Sequence, residues 1–171
     1  SYYNAENIVV DPVMFATSGS ALMRKEALNA LTERLLPIST LLTPNIPEAE
    51  VLSGTQIKTK EDMLSVAEYI SNSYDCAVLL KGGHSINDAN DLLYSNGELI
   101  WFEGKRIDNP NTHGTGCTLS SALAAAIARG EDLTTAALSA KKYIEQAIIS
   151  GAEYISTSSP RYTSIMPLYF S

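Results

Sequence analysis

Asn111-Thr112-His113-Gly114-Thr115-Gly116-Cys117-Thr118 is the stretch on which the reading of the chain turns. Behind it, from Cys117 to Arg129, Leu119, Ala122, Leu123, Ala126 and Ile127 recur at i, i+3, i+4, i+7 and i+8, the spacing of one helical face. Gly130 stands where a left-handed residue ends such a helix. Ahead lies the polar turn Asp108-Asn109-Pro110. Glycines and threonines therefore stand where a helix begins, with a thiol in its first turn. The first turn of a helix carries unpaired N–H groups and partial positive charge. Glycines there let an anion approach the amides, and the thiolate is the favoured form of a cysteine so placed. The same residues also read as a helix capped by Thr112 or Thr115, with Cys117 as a small packing side chain.

Working outward, Ile8-Val9-Val10 is a short apolar run that Pro12 stops, leaving Asp11 at its end. A helix is expected over 21–36, with Ala27, Leu28, Leu31 and Leu35 on its inner face and Pro37 closing it. Residues 39–43 form a second strand cut by Pro44. Asn45 opens a short helix that Gly54 closes. Another spans 60–73 with Met63, Val66, Ala67 and Ile70 inward. Cys76-Ala77-Val78-Leu79-Leu80 is a continuous apolar run, the mark of a buried parallel strand. Asn96-Gly97 between two strand-like runs signals a type I′ hairpin. A last helix covers 133–149, followed by an irregular tail after Gly151. Alternating strands and helices give the α/β class, a mainly parallel sheet with helices on both faces and one β-hairpin. In such sheets ligands bind beyond the carboxyl ends of the strands. Asp11, Asn45, Lys81-Gly82-Gly83 and the opening stretch all lie there.

The 171 residues are enough for one domain, and 1–171 is read as a single domain. A chain that begins almost on a buried strand is expected to lack the N-terminal part of that domain. Net charge of −7 and a pI near 4.8 argue against nucleic-acid binding and anionic membranes as partners. No apolar run approaches a membrane span, and no secretory pattern opens the chain. Two cysteines, Cys76 and Cys117, form no disulfide framework. A reducing cytoplasm is the expected setting.

Asn45-x-x-Glu48 has the form of a capping box. The pair also suits Mg²⁺ beside a phosphate, because Mg²⁺ takes oxygen ligands and keeps waters. Asp11 reads either as a turn cap or as a further acidic partner of that metal. Lys81 reads as a solvated lysine or as a phosphate contact, with Gly82 and Gly83 permitting close approach. His84 and His113 have no partners at zinc spacing and read as loop residues. Cys76 belongs to the core.

Taken in order, these segments resemble the hydroxymethylpyrimidine/phosphomethylpyrimidine kinases of thiamine biosynthesis, within the ribokinase-like superfamily. The residues that carry the resemblance are Val9-Val10-Asp11-Pro12-Val13-Met14, Leu42-Thr43-Pro44-Asn45-Ile46-Pro47-Glu48, Val78-Leu79-Leu80-Lys81-Gly82-Gly83-His84, Asp91-Leu92-Leu93-Tyr94 and Asn111 to Thr118. The resemblance implies an ATP- and Mg²⁺-dependent kinase acting on 4-amino-5-hydroxymethyl-2-methylpyrimidine and its monophosphate, and a homodimer. By it, Gly114, Thr115 and Gly116 form the anion hole for the transferred phosphoryl group. Cys117 stands where sugar kinases of the superfamily carry an aspartate base, and faces the acceptor. Asn45, Glu48 and Asp11 belong to the Mg²⁺ site, and Val13 lines the pyrimidine pocket. Lys81, Gly82, Gly83 and Thr112 approach the nucleotide. The resemblance leaves two other readings open: a pyridoxine or pyridoxal kinase, and a non-catalytic nucleotide-binding half-domain.

Overall fold

A computed structural model describes residues 5–16, 19–20, 22–82, 90–104 and 115–155. The chain divides into two compact units, Ser1–Arg106 and Ile107–Ser171.

The first unit holds a mixed sheet. Its strands are β1 (Val9–Val10), β2 (Leu41–Leu42), β3 (Ala77–Leu80), β4 (Asp91–Ser95) and β5 (Glu98–Phe102), in that spatial order. Strands β1, β2 and β3 are parallel, in the register Val9–Leu41–Ala77. Strands β1 and β2 are short because Pro12 and Pro44 remove ladder donors. All four residues of β3 are buried, as a continuous apolar strand between two neighbours requires. The hairpin extends the same sheet with antiparallel pairing, and Asn96 (φ 52) and Gly97 (φ 80) make its left-handed two-residue turn.

Two well-capped helices fill the crossover from β2 to β3. Helix α2 (Ile46–Ser53) starts at Asn45 and ends on left-handed Gly54, while α3 (Lys60–Tyr74) starts at a Thr59/Asp62 capping box. Met63, Val66, Ala67 and Ile70 of α3 are buried as their spacing predicts, and α3 packs against β3 and β4. With Leu36, Leu42, Val78, Leu80 and Leu92 they form one hydrophobic core.

The crossover from β1 to β2 departs from expectation. Helix α1 covers only Lys25–Ala30, then widens into a π turn at Leu31–Leu35 and tightens into a 3₁₀ turn at Leu36–Ile38. The Thr32 hydroxyl donates back to the carbonyls of Leu28 and Asn29, both at 3.1 Å, which competes with the helical ladder. The expected inner face is not buried: Ala27 and Leu35 are exposed and Leu28 and Leu31 half-buried. Only Leu36, in the 3₁₀ turn, reaches full burial. The apolar period is present, but among the described residues little packs on it.

Among its described residues the second unit is a pair of packed helices, α4 (Thr115–Ala128) and α5 (Leu133–Ile155). Leu119, Leu123, Ala126 and Ile127 are buried on one face of α4. Gly130 is left-handed (φ 89), donating to Ile127 at 2.9 Å while Glu131 donates to Ala126 at 3.2 Å, a Schellman end. Asp132 then caps α5 by accepting from the N–H groups of Thr134 and Thr135, each at 3.0 Å. Helix α5 runs past its expected end at 149 and through Gly151. A single interior glycine costs about 1 kcal/mol, too little to stop a long helix.

The burial of β3 sets a clear expectation. Leu80→Ala should cost about 2–5 kcal/mol, and Leu99→Ala, at a position 43% exposed, about 0.5 kcal/mol or less. Urea unfolding of the two variants checks this; equal losses would place β3 outside the core.

Candidate active site

The carboxyl ends of β1, β2 and β3 deliver a compact polar cluster. Beyond Val10, Asp11 turns off the strand with the Val13 N–H donating to its carbonyl at 2.9 Å. Thr43, fully buried past the end of β2, directs its hydroxyl to the Val10 carbonyl and to Asp11 Oδ1, both at 3.4 Å. Past β3, the Lys81 N–H donates to the Pro44 carbonyl at 2.8 Å and forms an isolated parallel bridge to Asn45. That bridge aims the Lys81 ammonium at Asp11 Oδ1, 3.1 Å away, with both side chains about 15% exposed. An ion pair so shielded is far less screened than a surface pair.

Asn45 is both the N-cap of α2 and part of this cluster. The Glu48 N–H donates to Asn45 Oδ1 and the Asn45 N–H to Glu48 Oε2, each at 2.9 Å. A third donor, the Met14 N–H, reaches Glu48 Oε1 at 3.4 Å. The capping box is thus formed in full, and it holds Glu48 at 3% exposure. Burial pushes the Glu48 carboxyl above its ordinary value. The Asn45 N–H, the Lys81 charge and the Met14 N–H oppose that rise, and the charge of Asp11 adds to it.

Two carboxylates and one ammonium leave this cluster net negative. Among the described residues no group of three or more His, Cys, Asp or Glu forms a closed metal site. The cluster suits a different kind of ion, a hydrated divalent cation that takes one or two carboxylates and shares its other positions with water and phosphate. Asp11 and Glu48 are the residues that would hold it. Asn45, also expected at the metal, orients Glu48 through the cap, and its Oδ1 accepts one N–H bond and keeps a second lone pair.

In the second unit, Thr115, Gly116 and Cys117 occupy the first turn of α4, and Cys117 is exposed. The hydroxyls of Ser120 and Ser121 donate to the carbonyls of Gly116 and Cys117 at 3.1 and 2.8 Å. Val13, the expected pocket residue, is 40% exposed beside Asp11. Gly83, Thr112 and Gly114 lie outside the described residues, as do His84, His113 and residues 156–171 of the tail. Gly82 is described, and its N–H donates to Asp91 Oδ1 at 3.0 Å. Sequence reasoning passed over Thr43 and the side-chain role of Asp91. The signal for Asp91 was present, since an acidic residue opening an apolar strand calls for a partner.

The phosphomethylpyrimidine kinase family profile matches residues 1–161. A hydroxymethylpyrimidine/phosphomethylpyrimidine kinase of Rhizobium meliloti is 46% identical over 142 residues, covering 82% of this chain and 53% of the relative. The crystal structure of a Clostridium difficile phosphomethylpyrimidine kinase superposes with a TM-score of 0.76 at 38% identity, over 86% of this chain and 59% of that one. A Staphylococcus aureus pyridoxal kinase in complex with AMP-PCP gives 0.77 at 33% identity, over 85% and 53%. The chain spans about half the length of the curated relatives it matches.

The raised pKa of Glu48 has a signed consequence. Between its ordinary value of 4.5 and the higher folded value, the folded state binds the proton more tightly than the unfolded state. Stability contributed by Glu48 is therefore complete at low pH and is lost as pH rises through that window. In metal-free buffer, the melting temperature of the wild type relative to Glu48→Gln should fall as pH is raised from below 4.5. A difference that stays constant across the range would refute the assignment.

Proposed function

The chain belongs to the phosphomethylpyrimidine kinase family, and from that membership we propose that it transfers a phosphoryl group from ATP to 4-amino-5-hydroxymethyl-2-methylpyrimidine and to its monophosphate. The observation that carries this reading is the cluster of Asp11, Glu48 and Lys81 at the carboxyl ends of three parallel strands. Phosphoryl transfer asks mainly for positioning and charge stabilisation. When bound, Mg²⁺ supplies the positive charge that offsets phosphate oxygens. Asp11, Asn45 and Glu48 would hold that ion in this reading, as the family resemblance implies. Lys81, tethered to Asp11, adds a fixed positive charge beside the acidic pair. The amides of Thr115 and Gly116, with Gly114, take the developing charge on the transferred group. Cys117 Sγ receives the proton of the attacking hydroxymethyl group. Lys81, Gly82, Gly83 and Thr112 belong to the nucleotide side in this reading, and Val13 to the pyrimidine side. A cytoplasmic homodimer is part of the same proposal, supported by family resemblance.

The likeness to a pyridoxal kinase supports a second reading, with pyridoxal as acceptor. ATP consumption by the full-length protein with the free pyrimidine, its monophosphate and pyridoxal separates the two. Turnover with the pyrimidines is expected. Turnover with pyridoxal alone would favour the second reading, and turnover with none would sink both and leave a nucleotide-binding module.

Cys117→Ala should lower kcat about 10²-fold, the scale of a lost general base; an unchanged rate would remove that role. Glu48→Gln should raise the Mg²⁺ concentration needed for half-maximal rate, and an unchanged Mg²⁺ response would leave Glu48 as a helix cap only.

A further inference from the structure

Asp91 stands at the root of β4, opposite Phe102 of β5, and its side chain does not serve the ladder. Its Oδ1 accepts from the Gly82 N–H at 3.0 Å. Gly82 is buried and follows Lys81 directly. On its other side a Cβ would stand 1.9 Å from the Asn90 carbonyl oxygen, so the two backbones touch and only glycine fits. Asn90 is fixed in turn, because its Oδ1 accepts from the Gly104 N–H at 3.0 Å. Gly82 is thus held by the hydrogen bond it donates to Asp91 and by backbone contact with Asn90. Just before it, the Lys81 N–H is held by the Pro44 carbonyl at 2.8 Å.

These restraints bracket one residue, Lys81. Its main chain is fixed on the amino side by β2 and on the carboxyl side by the start of β4. Its ammonium then meets Asp11 across the sheet. A flexible lysine stem holds a fixed position only when its backbone is fixed, since its rotamers cost close to 2 kcal/mol of entropy to order.

We propose that Asp91 is a positioning residue, which through Gly82 sets the Lys81 ammonium against Asp11 beside Glu48. The inference rests on the kinase reading for its kinetic consequence, and on geometry alone for its structural one. Loss of one such hydrogen bond corresponds to about a tenfold effect. Asp91→Ala should therefore lower kcat/KM for ATP about tenfold, while Asp91→Asn, which keeps an acceptor oxygen, should stay within about threefold of wild type. In a Lys81→Ala background the Asp91→Ala effect should shrink to about twofold or less, because the two act through one group. Additive losses would mean that Asp91 serves only general stability, and would overturn the proposal.

The crystal structure of Asp91→Ala, determined on the full-length protein, supplies the readout that does not depend on turnover. Lys81 Nζ is expected to leave Asp11 Oδ1. A pair retained at 3.1 Å would overturn the proposal whatever the kinetics. A wild type without turnover would end the kinase reading, and the structure of the variant would still decide the role of Asp91.

Discussion

A carboxylate buried at position 48 constrains the whole functional edge of the first unit. Burying a charge is costly unless donors and an opposite charge compensate it. Here the donors are the N–H groups of Asn45 and Met14, and the opposite charge is Lys81. Each compensating group belongs to a different segment: Met14 to the turn after β1, Asn45 to the exit of β2, Lys81 to the exit of β3. Glu48 can stay buried only while the three segments keep their places. Desolvation outweighs these groups, so burial still pushes the Glu48 carboxyl above its ordinary value.

The same edge shows how stability and function share residues. The Asn45–Glu48 capping box starts α2 and also orients the carboxylate toward the strand exits, so one geometry meets the structural reading and leaves the carboxylate placed for the proposed one. Gly82 is a further case. Its lack of a side chain lets two backbones touch, and its N–H gives Asp91 a partner.

Much of the fold was legible in sequence because its signals are local. The period of Met63, Val66, Ala67 and Ile70, the cap at Asn45, the Asn96-Gly97 turn and the Gly130 helix end each depend on residues a few positions apart. The misreadings have equally particular causes. The apolar period over Ala27 to Leu35 says that a face exists and not what covers it, and the helix passes into a π turn at Leu31–Leu35, where the Thr32 hydroxyl bonds back to Leu28 and Asn29. Gly151 looked like a helix end, yet one glycine is too weak a breaker for a helix as long as α5.

By itself, the sequence determined the α/β class, the acidic and basic residues at strand ends, the capping box at Asn45 and the glycine-threonine-cysteine start of α4. These follow from periodicity, proline and glycine stereochemistry and short-range hydrogen bonding. Only the tertiary structure decided who pairs with whom. Lys81 meets Asp11, its distant partner in the chain, because the parallel register aligns Val9, Leu41 and Ala77 and so brings the three strand exits level. Met14 reaches Glu48 for the same reason, and Asp91 reaches Gly82 because the antiparallel register sets Leu80 opposite Leu92. Register is a property of the assembled sheet, set by burial of its faces, and no local stretch of sequence contains it.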